Sequence, residues 1–222
     1  MFARAGQAVA DAVVDALAVI LPVTCSGCGV ADRAVCGTCA AAFAGTPIHR
    51  RTALGTPILS GTTYEDRVAH VLKAFKDGGR TDAAGVLGAA LLRAVQHGFE
   101  EYPSEMPVVL VPVPSSREAY RQRGFRPLQT IAARAGLPIV PALTVSRRVA
   151  DQSRLSSGAR ARNIAGAYRV TRELSGRRCV LIDDVVTTGA SLDEAERAVV
   201  AAGAGAHLAV TLASTSRRYA PK

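Results

Sequence analysis

The chain has no tryptophan, and its five phenylalanines and five tyrosines amount to only 5% of 222 residues. So few rings count against an extended platform on which single-stranded bases could stack. No window of about 18 uncharged apolar residues occurs, which excludes a membrane-spanning helix. The nearest approach follows Arg4 and runs to Val23, but Asp11 and Asp15 interrupt it, four apart on one helical face. It reads as an amphipathic N-terminal helix rather than a secretion signal, which places the protein in the cytosol, with its thiols reduced. Lysine is scarce, since only Lys73, Lys76 and Lys222 accompany the arginines among 27 basic residues. Low-complexity tracts are missing as well, and 49% of the residues are hydrophobic. A chain of this size builds one medium α/β domain with a small appendage.

What is abundant is arginine, and it is unevenly placed. Residues 1–110 carry nine Lys/Arg against ten Asp/Glu, whereas residues 111–222 carry eighteen against eight. The surplus gathers at Arg117, Arg121, Arg123 and Arg126, and again between Arg147 and Arg178. A GC-rich genome explains arginine in place of lysine but not its confinement to one half. A lopsided basic half suits a polyanionic partner, a pyrophosphate or a nucleic acid.

Cys25, Cys28, Cys36 and Cys39 form a CxxC…CxxC pair. Four thiolates at this spacing suit a closed, tetrahedral, structural Zn²⁺ site. Two disulfides need an oxidising compartment, and a redox CxxC normally occurs once, at a strand-to-helix junction. Cys179 stands alone in an apolar strand and reads as core, and the four histidines lie at no metal spacing from the cysteines.

The most informative segment is CVLIDDVVTTGAS, residues 179–191. Cys179 to Ile182 read as a buried parallel strand, followed by Asp183, Asp184 and a small hydroxyl-rich turn around Gly189. Leu192, Ala195, Ala198, Val199 and Ala202 then repeat at helical spacing. A helix N-terminus offers unpaired N–H groups and the positive end of its dipole, which hold a phosphate. Thr187, Thr188 and Ser191 add hydroxyls, and Gly189 permits close backbone approach. No lysine follows the glycine, so the loop is not a Walker A loop. The two aspartates are acceptors for sugar hydroxyls or for Mg²⁺ and its waters. A phosphate at the loop with a ribose over the acids satisfies every group at once, although a plain strand–turn–helix with acids at an exposed strand end has the same outline.

This segment closely resembles the PRPP-binding motif of type I phosphoribosyltransferases, PRPP being phosphoribosyl pyrophosphate. The resemblance implies that Asp183 and Asp184 face the ribose hydroxyls. It further implies that Thr187, Thr188, Gly189, Ala190 and Ser191, with Val185 leading into them, bind the 5′-phosphate. Over nearly the whole length the chain is similar to the ComF family of competence-associated, phosphoribosyltransferase-like proteins. The features that carry the likeness are the four cysteines; Tyr64, Lys73 and Lys76 with Gly78-Gly79-Arg80; Val111-Pro112-Val113-Pro114; Arg123-Gly124-Phe125; Gln152 and Leu155; and Arg162-Asn163. One departure is Arg126-Pro127, where the family usually has Asn-Gln.

The expected fold is α/β, a type I phosphoribosyltransferase fold with a doubly wound, mostly parallel sheet and a small N-terminal four-cysteine zinc module. Residues 1–50 would hold the N-terminal helix and a double zinc ribbon-like module, 51–105 a helical hood that recognises the acceptor, and 106–222 the PRPP-binding domain. Strands are expected at 57–64, 108–113, 137–145, 163–170, 179–182 and 207–213. Helices are expected at 65–76, from a Thr81 or Asp82 cap to about 97, at 128–135, and after the phosphate loop. By resemblance, Val113, Pro114, Ser115 and Arg117 form the pyrophosphate loop, and residues 147–162 a closing loop whose Arg154, Arg160 and Arg162 neutralise the leaving pyrophosphate together with Mg²⁺. The implied reaction is Mg²⁺-dependent transfer of 5-phosphoribosyl to an unidentified base or amine. The alternative is a binding protein for single-stranded DNA or DNA-uptake proteins, built on the same fold.

Overall fold

The computed structural model describes residues 23–146 and 164–215. The expected N-terminal helix and the arginine-rich stretch with Arg154, Arg160 and Arg162 lie outside the described residues. The elements in chain order are α1 (Gly37–Ala41), β1 (Ile48–Arg51), β2 (Pro57–Thr63), α2 (Asp66–Asp77), α3 (Ala84–Glu101), β3 (Val108–Pro112) and α4 (Arg117–Arg123). They continue as α5 (Pro127–Arg134), β4 (Leu143–Val145), β5 (Tyr168–Val170), β6 (Arg178–Val186), α6 (Ala190–Ala201) and β7 (Gly205–Ser214).

Five strands form one sheet in the order β1-β2-β7-β6-β3. The pairs β2/β7, β7/β6 and β6/β3 are parallel, and only edge strand β1 runs antiparallel, to β2. The expected doubly wound, mostly parallel sheet is present. Alternation along each strand splits the core in two. Leu59, Leu110, Val180, Ile182, Leu208, Val210 and Leu212 face α2, α3 and α5. Ile58, Val111, Cys179, Leu181 and Ala209 face α6 and the β4/β5 pair. Both faces are covered, which is why β6 and β7 read as near-continuous apolar runs.

Several details depart from expectation. Residues 137–145 do not make one strand: Ile139 bridges Leu110 beside β3, and β4 pairs antiparallel with β5 in a separate two-stranded ribbon. Thr81 and Asp82 do not cap α3 but lie in a 3-10 turn ahead of it, with no side-chain cap. That helix runs on to Glu101, about a turn beyond its expected end near residue 97. Helix α4 carries no apolar periodicity and went unread. Strand β6 does not stop before the acids but runs to Val186, with Asp183 opposite Thr211 and Val185 opposite Ala213. Among the described residues no helix is long and apolar enough to cross a membrane.

Candidate functional site

The carboxyl ends of β3 and β6 open onto a cavity of about 520 Å³. Its floor is Asp183, Asp184 and Val185 of β6; one wall is the Val113–Ser116 turn after β3, and another is the end of α2. This is where ligands bind in open α/β sheets, at the strand carboxyl ends.

The two acids differ in surroundings. Each carboxylate accepts from the next backbone N–H: Asp183 Oδ1 from Asp184 at 2.9 Å, and Asp184 Oδ1 from Val185 at 2.8 Å. Asp184 is buried, and its Oδ2 forms an ion pair with Lys76 from the last turn of α2. Burial opposes charge on Asp184, but Lys76 outweighs it and holds the carboxyl below its ordinary range. Among the described residues no cation is paired directly with Asp183, and the pull of Lys76 on it is weaker. Burial, reinforced by the neighbouring charge of Asp184, pushes its carboxyl well above the ordinary range. Burial also works against the Lys76 ammonium, yet the two aspartates keep it firmly charged. Two adjacent acids with opposite shifts, in a cleft at the strand ends, mark a candidate functional site.

The phosphate-loop residues follow directly. Gly189, at φ 91°, turns the chain into α6, a conformation that a side chain would strain. Its carbonyl accepts the first helical N–H, from Asp193, and Thr188 Oγ1 accepts from Ala190 at 3.3 Å. Residues Val185 to Leu192 with Asp183 line a small cradle at the helix N-terminus. Thr187 and Ser191 also face the large cavity, whereas Thr188, Gly189 and Ala190 belong to the cradle alone.

Val113, Pro114 and Ser115 line the cavity as their assignment to a pyrophosphate loop requires, joined by Ser116. Val113 is anchored by donating to the Ile182 carbonyl at 2.8 Å, and Ser116 caps α4 by accepting from Ala119 at 3.0 Å. Arg117 is not brought to the cavity: it opens α4 on the exposed side. The arginine that faces the cavity is Arg123, six residues on, held by Asp77 at 3.3 Å. The departure at 126–127 is also resolved in part. Pro127, the first residue of α5, lines the cavity, while the Arg126 guanidinium lies 4.9 Å over the Tyr120 ring.

Sequence reasoning gave no role to Lys76, Arg123 or Tyr168. Lys76 sits four residues after buried Leu72, so a cation on the apolar stripe of α2 was the available signal. Tyr168 is 6% exposed and lines the cavity with Asp183 and Ser191, and burial, reinforced by the charge of Asp183, pushes its phenol upward. It is fixed by Glu194, which accepts from the Tyr168 N–H at 2.9 Å and from Arg197 at 2.7 Å.

Away from the cavity, the sulfurs of Cys25, Cys28, Cys36 and Cys39 all lie within 4.8 Å of one another. Cys28 and Cys36, one from each CxxC, approach to 3.6 Å. Tetrahedral Zn–S bonds of about 2.3 Å set sulfurs roughly 3.8 Å apart, so the four residues could hold one metal ion. Burial disfavours the Cys25 thiolate, but N–H groups of Cys36 and Gly27 at 3.3 and 3.4 Å reverse this and bring it down to about 6. Gly27 is obligatory in this packing, because a Cβ there would stand 2.6 Å from Cys39 Sγ. The module joins the core through Cys25, Cys39, Phe43 and Val71, and His70 of α2 contacts the Gly27 carbonyl at 3.2 Å. Helix α2 thus has the cysteine cluster on its flank and Lys76 at its end.

The phosphoribosyl transferase domain family matches residues 91–222. The chain is also similar to proteins called DNA utilization protein YhgH. With that of Escherichia coli (strain K12) it is 27% identical over 195 residues, covering 82% of this chain and 86% of the relative. With that of Salmonella typhimurium (strain LT2) it is 28% identical over 193 residues, covering 81% and 85%. The matched family span holds β3, both acids, the phosphate loop and α6, and the cysteine module precedes it. The chain belongs to the phosphoribosyl transferase domain family, as a ComF-like member.

Proposed function

We propose that the protein binds PRPP and transfers its 5-phosphoribosyl group to an amino or ring nitrogen of an unidentified base or amine, releasing pyrophosphate. The observation that carries this reading is one cavity with three kinds of ligand-binding group around it. Asp183 and Asp184 accept from ribose hydroxyls. The Thr187–Ser191 loop at the start of α6 takes the 5′-phosphate. The Val113–Ser116 turn with Arg123 faces the pyrophosphate end. In the transfer, the bond from C1 to the pyrophosphate oxygen breaks with its electron pair leaving on pyrophosphate, the acceptor nitrogen bonds to C1, and its surplus proton goes to solvent. Positive charge develops on the ribose ring and negative charge on the leaving group. The carboxylates answer the first, and Arg123 the second. Arg154, Arg160 and Arg162 are assigned to the leaving group as well, on their motif alone.

Two carboxylates together with a ligand's own phosphate and hydroxyl oxygens form the all-oxygen set that suits Mg²⁺. Bound there, Mg²⁺ supplies charge neutralisation for the pyrophosphate. Four cysteine sulfurs suit a structural Zn²⁺ that shapes the N-terminal module and takes no part in the chemistry.

The direct test is pyrophosphate release from PRPP and Mg²⁺ over a panel of free bases and amines, with Asp183→Asn/Asp184→Asn as the blank. Release that depends on one acceptor supports transfer; release no greater than the blank with every acceptor contradicts it.

A second reading is supported by the relatives' designation as DNA utilization proteins and by the basic second half of the chain. In it the fold serves DNA handling, with PRPP as ligand or regulator. Single-stranded DNA would then bind with an affinity that falls steeply with salt. A flat response between low and moderate salt counts against this reading.

A further inference from the structure

Lys76 already occupies the carboxylate that a ribose must use. Asp184 Oδ1 accepts the Val185 N–H, and Oδ2 carries the Lys76 ammonium, so a sugar hydroxyl arriving at Oδ2 must share it with that ammonium or displace it. Among the described residues, Asp184 and Asp183 attract Lys76, and Arg123, itself held by Asp77, repels it. The Lys76 side chain is 28% exposed and lines the same cavity as Ser115, Ser116 and Arg123. An ammonium displaced from Asp184 into this half-buried wall cannot stay unpaired without a large penalty.

We propose that Lys76 exchanges partners on ligand binding: it releases Asp184 to the sugar hydroxyls and pairs with the phosphates at the other end of the ligand. This rests on the phosphoribosyl reading and adds a specificity device to it. A ligand with both a ribose diol and a pyrophosphate completes the exchange. Ribose 5-phosphate competes for Asp184 but offers Lys76 no pyrophosphate in return, so the site discriminates against it. Lys76 therefore couples the sugar contact to the pyrophosphate contact, and a lysine suits the role because its ammonium is a compact charge on a flexible stem.

The test is titration calorimetry with Mg²⁺, comparing PRPP with ribose 5-phosphate on the wild type, Lys76→Met, Lys76→Gln and Lys76→Arg. Lys76→Gln keeps a donor for Asp184 without the charge, so the test survives if Lys76→Met does not fold. The wild type is expected to prefer PRPP, and both neutral variants to lose about tenfold in that preference. Their ribose 5-phosphate affinity should be unchanged or higher, and Lys76→Arg should restore most of the preference. If the two ligands weaken together in the neutral variants, or the preference is unmoved while the wild type binds PRPP, the exchange is wrong and the pair is structural. If the wild type binds neither ligand, the phosphoribosyl reading falls and the exchange with it.

Discussion

Arg50, on edge strand β1, donates from Nη1 to the Thr187 carbonyl at 2.7 Å and from Nη2 to the Thr215 carbonyl at 2.5 Å. One guanidinium thus ties the first residue of the phosphate loop to the end of β7, using the planar fork that lysine lacks. The same segment of chain braces α6, where Asp193 accepts from the Ala53 N–H at 2.7 Å. The hairpin of β1 and β2 holds the loop from outside while touching no part of the large cavity. Arg50→Ala should weaken PRPP binding about tenfold, the cost of losing hydrogen bonds from a charged donor. Arg50→Lys should recover only part of it. Calorimetry with Mg²⁺ and PRPP reads both, and equal affinity in all three proteins would show that the loop needs no brace.

The acidic pair predicts stability effects of opposite sign from neighbouring, identical substitutions. Asp183 has a raised folded-state pKa, so its contribution is complete below the ordinary carboxylate range and is lost as pH rises through the raised value. Asp183→Asn should therefore melt higher than wild type at neutral pH, with the advantage vanishing on acidification. Asp184 has a lowered pKa, so its contribution is present above the ordinary range and is lost as pH falls through the lowered value. Asp184→Asn should cost about 1–3 kcal/mol at neutral pH, because it removes the carboxylate paired with Lys76. Its deficit should shrink in acid. Thermal melts between pH 3 and neutrality check both signs; two substitutions of the same sign would contradict the assignment.

How much of this was legible in the sequence depended on local pattern. The run Cys179–Ile182, the acids, Gly189 and the helix after it are contiguous, so strand, loop and helix could be read together. The sheet partners on either side could not, because β3 and β7 meet β6 across long sequence separations. The resemblance points to Arg117, at the end of the turn after β3, and REAYRQR has no apolar period to fix its phase; as a helix it turns Arg123 and not Arg117 to the cavity. Tyr168 is held at the site by its N–H bond to Glu194 of α6, a contact between distant parts of the chain that no local pattern announces. Lys76 carries a weak helical signal and Asp184 a strong one, but nothing local joins the two.

The two glycines inside the CxxC pairs should behave differently. Gly27→Ala drives a Cβ to 2.6 Å from Cys39 Sγ and should abolish stoichiometric metal binding. Gly37, the first residue of α1, has nothing within 4 Å of an added Cβ, and Gly37→Ala should retain the metal with unchanged or slightly higher stability. Elemental analysis of the purified variants decides between them.

Removal of that metal should be felt beyond the cysteines. Cys25, Cys39 and Phe43 share a core with Val71, Leu72 and Phe75 of α2. A chelator should lower the melting temperature by about 5 °C or more. It should also weaken PRPP binding, since α2 carries Lys76. Zn²⁺ should restore both. A melt insensitive to the chelator, in protein shown to have lost its metal, would separate the module from the core.

The most direct measurement is calorimetric titration of PRPP, with Mg²⁺, into the wild-type protein and into Asp183→Asn/Asp184→Asn. Saturable binding of one PRPP per chain to the wild type, abolished in the double variant, is the predicted result. No binding to the wild type, or binding that survives in the double variant, would contradict a ribose phosphate site built on Asp183 and Asp184.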